Sequence, residues 1–359
     1  MRCVSFGQVA LLSMILVLAA GRVWAQPGNL DPSFAQTGSG LNNDVNSIAQ
    51  QTDSKIIIGG GFQNYDITPA QRIARLNSDG SLDNSFTQTG TGLGNVVYSA
   101  IIQPDGKIVA GGFFTDYNGI PRQRMVRLNA DGSLDPSFTQ VGGGLNGVVF
   151  LVVRQPDGKF LVGGGFTTYN GASSRLIARL NSDGSLDPSF STTGAGLVGG
   201  SNSVSAISLQ PDGKIIVGGT FTTYNGIPRS RIARLNSDGT LDNSFIPTGS
   251  GFNGIVYKTI LQPDGKILAV GNFTSFNGSP RPYIARLNTD GSLDPTFVQV
   301  GSGLDNSVYG LAQQSDGKII VVGDFTAYNG SSRSYVARLN MDGSLDATFS
   351  QTGTGLNLY

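Results

Sequence analysis

Apolar runs of five or six residues recur at a regular interval along this 359-residue chain, each bounded by Gly, Asp, Asn or Ser. In the second copy the pattern predicts strands over Val97 to Gln103, Lys107 to Gly112 and Arg124 to Asn129. The first two are joined by Pro104-Asp105-Gly106, and Asp-Gly supplies the positive φ angles of a tight hairpin, so they are antiparallel neighbours. A loop, Phe114 to Gly119, leads to the third strand, and a second Asp-Gly turn, Asp131-Gly132, leads to a short fourth segment around Phe138 to Val141. Each unit therefore reads as a three- to four-stranded antiparallel sheet. Its second strand is apolar at consecutive positions, as in Ile215-Ile216-Val217, so both faces need cover, which neighbouring units stacked face to face provide.

The unit is counted by its lysines, Lys55, Lys107, Lys159, Lys214, Lys266 and Lys318, spaced 52, 52, 55, 52 and 52 residues apart. Such a period signals a stack of one supersecondary unit. An open stack needs polar end caps, yet the last copy, Val308 to Phe349, is as apolar as the middle ones. The expected fold is all-β: a β-propeller of about six four-stranded antiparallel blades in one domain over residues 26–359, with a seven-bladed or truncated open array as the alternative. The L-D-x-[ST]-F block occurs seven times, from Leu30 to Phe34 through Leu345 to Phe349. The spare copy either latches a ring or marks a fragment of a longer array.

Residues 1–25 read as a secretory signal peptide, with Arg2 ahead of an apolar core from Val9 to Ala20 and a small residue, Ala25, at the end. The core is too short for a transmembrane helix, so a mature chain without a membrane span is expected, secreted, surface-bound or periplasmic. Cys3 is the one cysteine and lies in that segment, which removes disulfides and thiolate chemistry from the mature chain. Histidine is absent, and with it the commonest general base and transition-metal ligand. All 24 acidic residues are aspartates against 24 Lys and Arg, a balance that favours neither nucleic acid nor an anionic membrane. A monomer is expected.

The six copies can be compared with one another. Phe62, Phe114, Phe166, Phe221, Phe273 and Phe325 hold one position and Phe86, Phe138, Phe190, Phe245, Phe297 and Phe349 another; both read as core. Arg75, Arg127, Arg179, Arg234, Arg286 and Arg338 lie among apolar neighbours, and each has an aspartate eight residues on: Asp83, Asp135, Asp187, Asp242, Asp294 and Asp346. A buried guanidinium needs a carboxylate, so a structural ion pair is expected in every unit. The segment Asn77 to Asp83 has alternating oxygen ligands without the closing Glu of an EF-hand. An Asp-Gly turn explains it, with calcium as the open alternative; no other cofactor is expected.

Two groups are candidate binding residues. Tyr65, Tyr117, Tyr169, Tyr224, Phe276 and Tyr328 fall in the loops after the second strands, mostly before Asn-Gly, where rings could stack on a sugar or grip a peptide. Subtracting the repeated positions leaves five aspartates, Asp44, Asp66, Asp116, Asp305 and Asp324, in or beside loops of that same rim. In a closed six-bladed ring they would share one sector, fit for a cation, a basic ligand or paired catalytic carboxylates.

The chain resembles the delta-60 repeat family of bacterial β-propeller proteins. Gln262-Pro263-Asp264-Gly265-Lys266 and Arg286-Leu287-Asn288-Thr289-Asp290-Gly291-Ser292-Leu293-Asp294 carry the likeness, which covers essentially the whole mature chain. It implies a secreted or surface propeller and brings no catalytic residues. Repeat uniformity favours a non-enzymatic binding, adhesion or structural scaffold for a glycan or protein. The alternative is a polysaccharide-cleaving hydrolase or lyase that uses the non-repeat aspartates.

Overall fold

A computed structural model describes residue 34 and residues 40–86, 90–138, 143–190, 194–245, 249–297 and 301–349; residues 1–25, where a signal peptide is expected, and Val141 lie outside these. The described chain divides at Ser189 and Phe190 into two compact units of three repeats each.

In the first unit each repeat forms one antiparallel sheet in chain order: Val45–Gln50, Ile56–Gly60 and Ile73–Leu76, then Val97–Ile102, Ile108–Gly112 and Met125–Leu128, then Val149–Arg154, Phe160–Gly164 and Ile177–Leu180. The second unit repeats the plan with Val204–Leu209, Ile215–Gly219 and Ile232–Leu235, with Val256–Leu261, Ile267–Gly271 and Ile284–Leu287, and with Val308–Gln313, Ile319–Gly323 and Val336–Leu339. The middle strand is buried throughout in every repeat. Its cover comes from the adjacent sheet. Ile57 and Ile73 pack with Val97, Ala110, Phe114 and Val126 of the next repeat, and Leu268 and Ile284 pack in the same way with Val321 and Phe325. Each such side chain contributes roughly 1.5 to 3 kcal/mol of burial.

Two details differ from the sequence reading. The fourth strand is a single bridge, Leu128 to Leu134 and its equivalents, and Phe138 is a buried plug rather than a strand residue. The chain leaves the ladder because Asp135 Oδ1 accepts from Ser137 N at 2.9 Å and Ser137 Oγ at 2.7 Å, closing a local turn in place of sheet pairing. The loop after the second strand contains a small hairpin, Asp116–Tyr117 against Ile120–Pro121, turned by Asn118 and Gly119 at φ 53° and 75°. Tyr117 is also bridged to Leu93 ahead of the first strand.

Every first strand carries a bulge at its second residue. In the second repeat Val97 faces Gly112 and Ser99 faces Gly111, so Tyr98 is the inserted residue. Neighbouring first strands within a unit lie side by side: Ser47 Oγ accepts from Ala100 N at 2.8 Å, and Ser205 Oγ donates to Val256 O at 2.6 Å.

Candidate functional site

The most repeated polar group is spent on joining repeats. Arg75 Nε donates to Asp83 Oδ2 at 2.7 Å, its Nη2 to Ser85 Oγ at 3.1 Å, and its Nη1 to Ala130 O of the next repeat at 2.6 Å. Arg127 reaches Ser182 O at 2.6 Å, and Arg234 reaches Thr289 O at 2.6 Å. All six Arg–Asp pairs stand at 2.7 Å: Arg75–Asp83, Arg127–Asp135, Arg179–Asp187, Arg234–Asp242, Arg286–Asp294 and Arg338–Asp346. Sequence reasoning used the lysines only as landmarks, yet each is a second cation on the same carboxylate, as in Lys55 to Asp83 Oδ2 at 2.7 Å. Burial alone would raise the Asp83 carboxyl pKa; hydrogen bonds from Lys55, Ser85 and Arg75 outweigh it and hold the group far below the usual carboxylate range.

The loop aromatics do not face solvent. Tyr65, Tyr117, Tyr169, Tyr224, Phe276 and Tyr328 are all buried, the most exposed at 4%. Each tyrosine hydroxyl donates to the carbonyl of the Asp-Gly turn fifteen residues on: Tyr65 to Gly80 O at 2.8 Å, Tyr117 to Gly132 O at 2.6 Å, Tyr169 to Gly184 O at 2.5 Å, Tyr224 to Gly239 O at 2.8 Å and Tyr328 to Gly343 O at 2.7 Å. Burial pushes the Tyr169 hydroxyl up to about 12. The rings tie loop to turn and have no face to offer a sugar, which corrects their reading as rim binding residues. Phe276 lacks the hydroxyl and packs on Phe252 instead, with ring centres 4.7 Å apart.

Two of the non-repeat aspartates occupy places that asparagine fills in other repeats. Asp66 Oδ1 accepts from Gly40 N at 2.6 Å, as Asn118 Oδ1 does from Gly92 N at 2.6 Å. Asp305 Oδ1 accepts from Thr326 N and Ala327 N at 2.8 and 3.0 Å, as Asn146 does from Thr167 N and Thr168 N. Asp116 Oδ1 accepts from Gly119 N at 3.2 Å within its own hairpin. Asp44 is half-buried, and desolvation raises its carboxyl pKa. Asp324 Oδ2 accepts from Tyr309 Oη at 2.8 Å. Asp44, Asp66 and Asp116 belong to the first unit and the other two to the second. Among the described residues no three Asp side chains group as a metal site. In the turns weighed for calcium, Asp79 Oδ1 accepts from Ser81 Oγ at 2.7 Å and Ser81 N at 3.0 Å.

Phe113, one residue past the middle strand of the second repeat, is exposed, and four further aromatics reach solvent in part at the bulges, a position sequence reasoning passed over. Tyr98 and Phe150 meet edge to face at 5.5 Å in the first unit, and Tyr257 and Tyr309 lie 5.0 Å apart in the second, all half-buried. The signal was available: Val precedes this position in every copy, while the position itself reads Asn46, Tyr98, Phe150, Ser205, Tyr257 and Tyr309. On the hairpin tips Ile67, Ile120 and Ile227 are exposed.

Six repeated antiparallel sheets without a described helix make this a β-propeller protein. The sequence profile of the DUF5122 β-propeller, a domain of unknown function, matches residues 51–86, 103–138, 155–190, 210–245, 262–297 and 314–349. The chain belongs to that family. No curated protein matches it in sequence. Among solved structures it is similar to the WD40 β-propeller domain of Doa1, with 18% identity, TM-score 0.50, and coverage of 82% of this chain and 78% of that one. It is also similar to the extracellular domain of the hybrid two-component system BT3049 from B. thetaiotaomicron, with 14% identity, TM-score 0.50, and coverage of 91% of this chain and 38% of that one. At these identities the likeness concerns the fold. Among the described residues no helix is long and apolar enough to cross a membrane.

Proposed function

We propose that this chain is a secreted, monomeric, non-enzymatic propeller of delta-60-type repeats that serves as a binding or structural scaffold for an extracellular glycan or protein. The observation that carries this reading is the internal use of the repeated polar groups. The Lys, Arg and Asp of each junction and the loop tyrosine hydroxyls bond to one another or to backbone. Of the non-repeat aspartates, Asp66 and Asp305 do the work of asparagines. What remains variable is surface: the bulge positions and the hairpin tips. Incubating the full chain with a panel of soluble polysaccharides, with reducing ends assayed alongside retention and pull-down, tests this; retention without product is expected, and release of product overturns it.

Hydrolysis or lyase chemistry is the second reading, and Asp44 is what favours it. A carboxyl whose pKa is raised by burial has the property a general acid needs. On that reading Asp44→Asn abolishes any product released.

A further inference from the structure

The six copies differ most usefully one residue past the end of the middle strand. In the first unit that position is Gly61, Phe113 and Gly165, none with a hydrogen-bonding side chain; in the second it is Thr220, Asn272 and Asp324. Each polar side chain of the second unit bonds back to the entrance of its own first strand. Thr220 Oγ1 accepts from Ser203 N at 2.9 Å, Asn272 Oδ1 from Ile255 N at 2.6 Å, and Asp324 Oδ2 from Tyr309 Oη at 2.8 Å. The row is thereby fixed beside the bulges that carry Tyr257 and Tyr309, whose rings stand 5.0 Å apart at 34°.

This arrangement leaves functional groups pointing outward. Asp324 Oδ1 accepts from none of the described residues, and Asn272, which is exposed, keeps its amide donors for solvent. Two half-buried rings with a held acceptor and a free amide donor match a sugar: its C–H face stacks on an aromatic ring while its hydroxyls take paired donors and acceptors. Asp324 is the one charged group in this set, and its carboxylate would repel an anionic sugar, which favours a neutral one.

We propose that Tyr257, Tyr309, Asn272 and Asp324 form a binding site for a neutral carbohydrate, with the tyrosine rings as the stacking surface and Asp324 as the hydroxyl acceptor. This rests on the scaffold reading and names its ligand class. Tyr309 positions Asp324 through its hydroxyl as well as offering its ring. The first unit has the ring pair Tyr98 and Phe150 without the polar row, so the site is built once.

The test is affinity electrophoresis of the full chain in gels holding a neutral β-glucan, xylan or mannan, or an anionic polygalacturonate, with reducing ends assayed in the same samples. Retardation by a neutral polysaccharide and not by polygalacturonate is expected. Tyr257→Ala and Asp324→Asn should each weaken it about tenfold, with Met341→Ser unchanged, since Met341 is exposed and lies against Gly317 at the opposite end of the middle strand from Asp324. Asp324→Asn is nearly isosteric, and equal melting temperatures keep its result separate from misfolding. Absence of retardation by every neutral polysaccharide, or equal retardation of both variants and wild type, overturns the site. Retention of a protein partner alone leaves the scaffold reading standing without this site. Release of reducing ends, with retardation still lost in both variants, overturns the non-enzymatic reading and keeps the site.

Discussion

The ring of Phe86 closes over Gly132 of the following repeat, its Cε2 only 3.2 Å from where a Cβ on that glycine would stand. Gly132 also has φ +90°, which side-chain-bearing residues rarely adopt. The Arg75 guanidinium covers the same ring, with Cζ 5.1 Å from its centre. Sequence conservation within the repeat thus has two causes at this glycine, turn conformation and close approach. Gly132→Ala should cost roughly 2 to 3 kcal/mol, whereas Gly119→Ala, at φ +75° but with nothing within 4 Å, should cost about 1 kcal/mol. Denaturant titrations of the two variants check the difference.

Stability should fall in acid. Burial would raise the Asp135 carboxyl pKa, but Lys107, Ser137 and Arg127 together hold it far below its ordinary value, and its five counterparts are held likewise. A depressed carboxylate stabilises the fold fully above its unfolded pKa of about 3.9, and that contribution is lost as pH falls toward the folded value. Melting temperatures by circular dichroism should be level from about pH 7 to about 5 and decline below about 4.

Removing one of these charges at neutral pH leaves two cations facing each other. Asp135→Asn should cost about 3 kcal/mol, at the lower end for a broken buried pair because Lys107 is 31% exposed. The acid decline should also be shallower in this variant, since one of the six titrating groups is gone.

The loop tyrosines give a finer test. Tyr169→Phe keeps the ring and deletes the donor to Gly184 O, so it should destabilise by about 1 kcal/mol. The fifth repeat carries this change already, as Phe276, with Phe252 replacing the leucine found at that place elsewhere.

Asp66→Asn and Asp305→Asn should each leave the melting temperature within about 1 °C, because asparagine makes the same hydrogen bonds in other repeats. A loss of polysaccharide cleavage in either variant would instead support the hydrolase reading.

The sequence made the strands, the hairpin turns and the Arg75 to Asp83 partnership legible, because each follows from local rules: apolar runs, Asp-Gly chemistry and the cost of burying a guanidinium. Lys55 on the same carboxylate was hidden, since its 28-residue separation becomes contact only when the middle strand pairs with the third. Tyr117 read as a rim residue for the same reason: its loop looked exposed until the bridge to Leu93 and the bond to Gly132 turned the ring inward. Tyr257 and Tyr309 went unremarked because a bulge cannot be seen in an apolar run, and without it alternation assigns their faces wrongly.

The carbonyl that Arg75 grips in the next repeat has a genealogical consequence. A duplication that copies one full period, wherever its breakpoints fall, also copies one complete junction: cation, acid, aromatic cap and the backbone that receives them. Unequal crossing-over can therefore lengthen or shorten such a gene by whole periods without inventing a contact. Divergence is then free to accumulate in positions that no junction uses, such as the exposed hairpin tips at Ile67, Ile120 and Ile227.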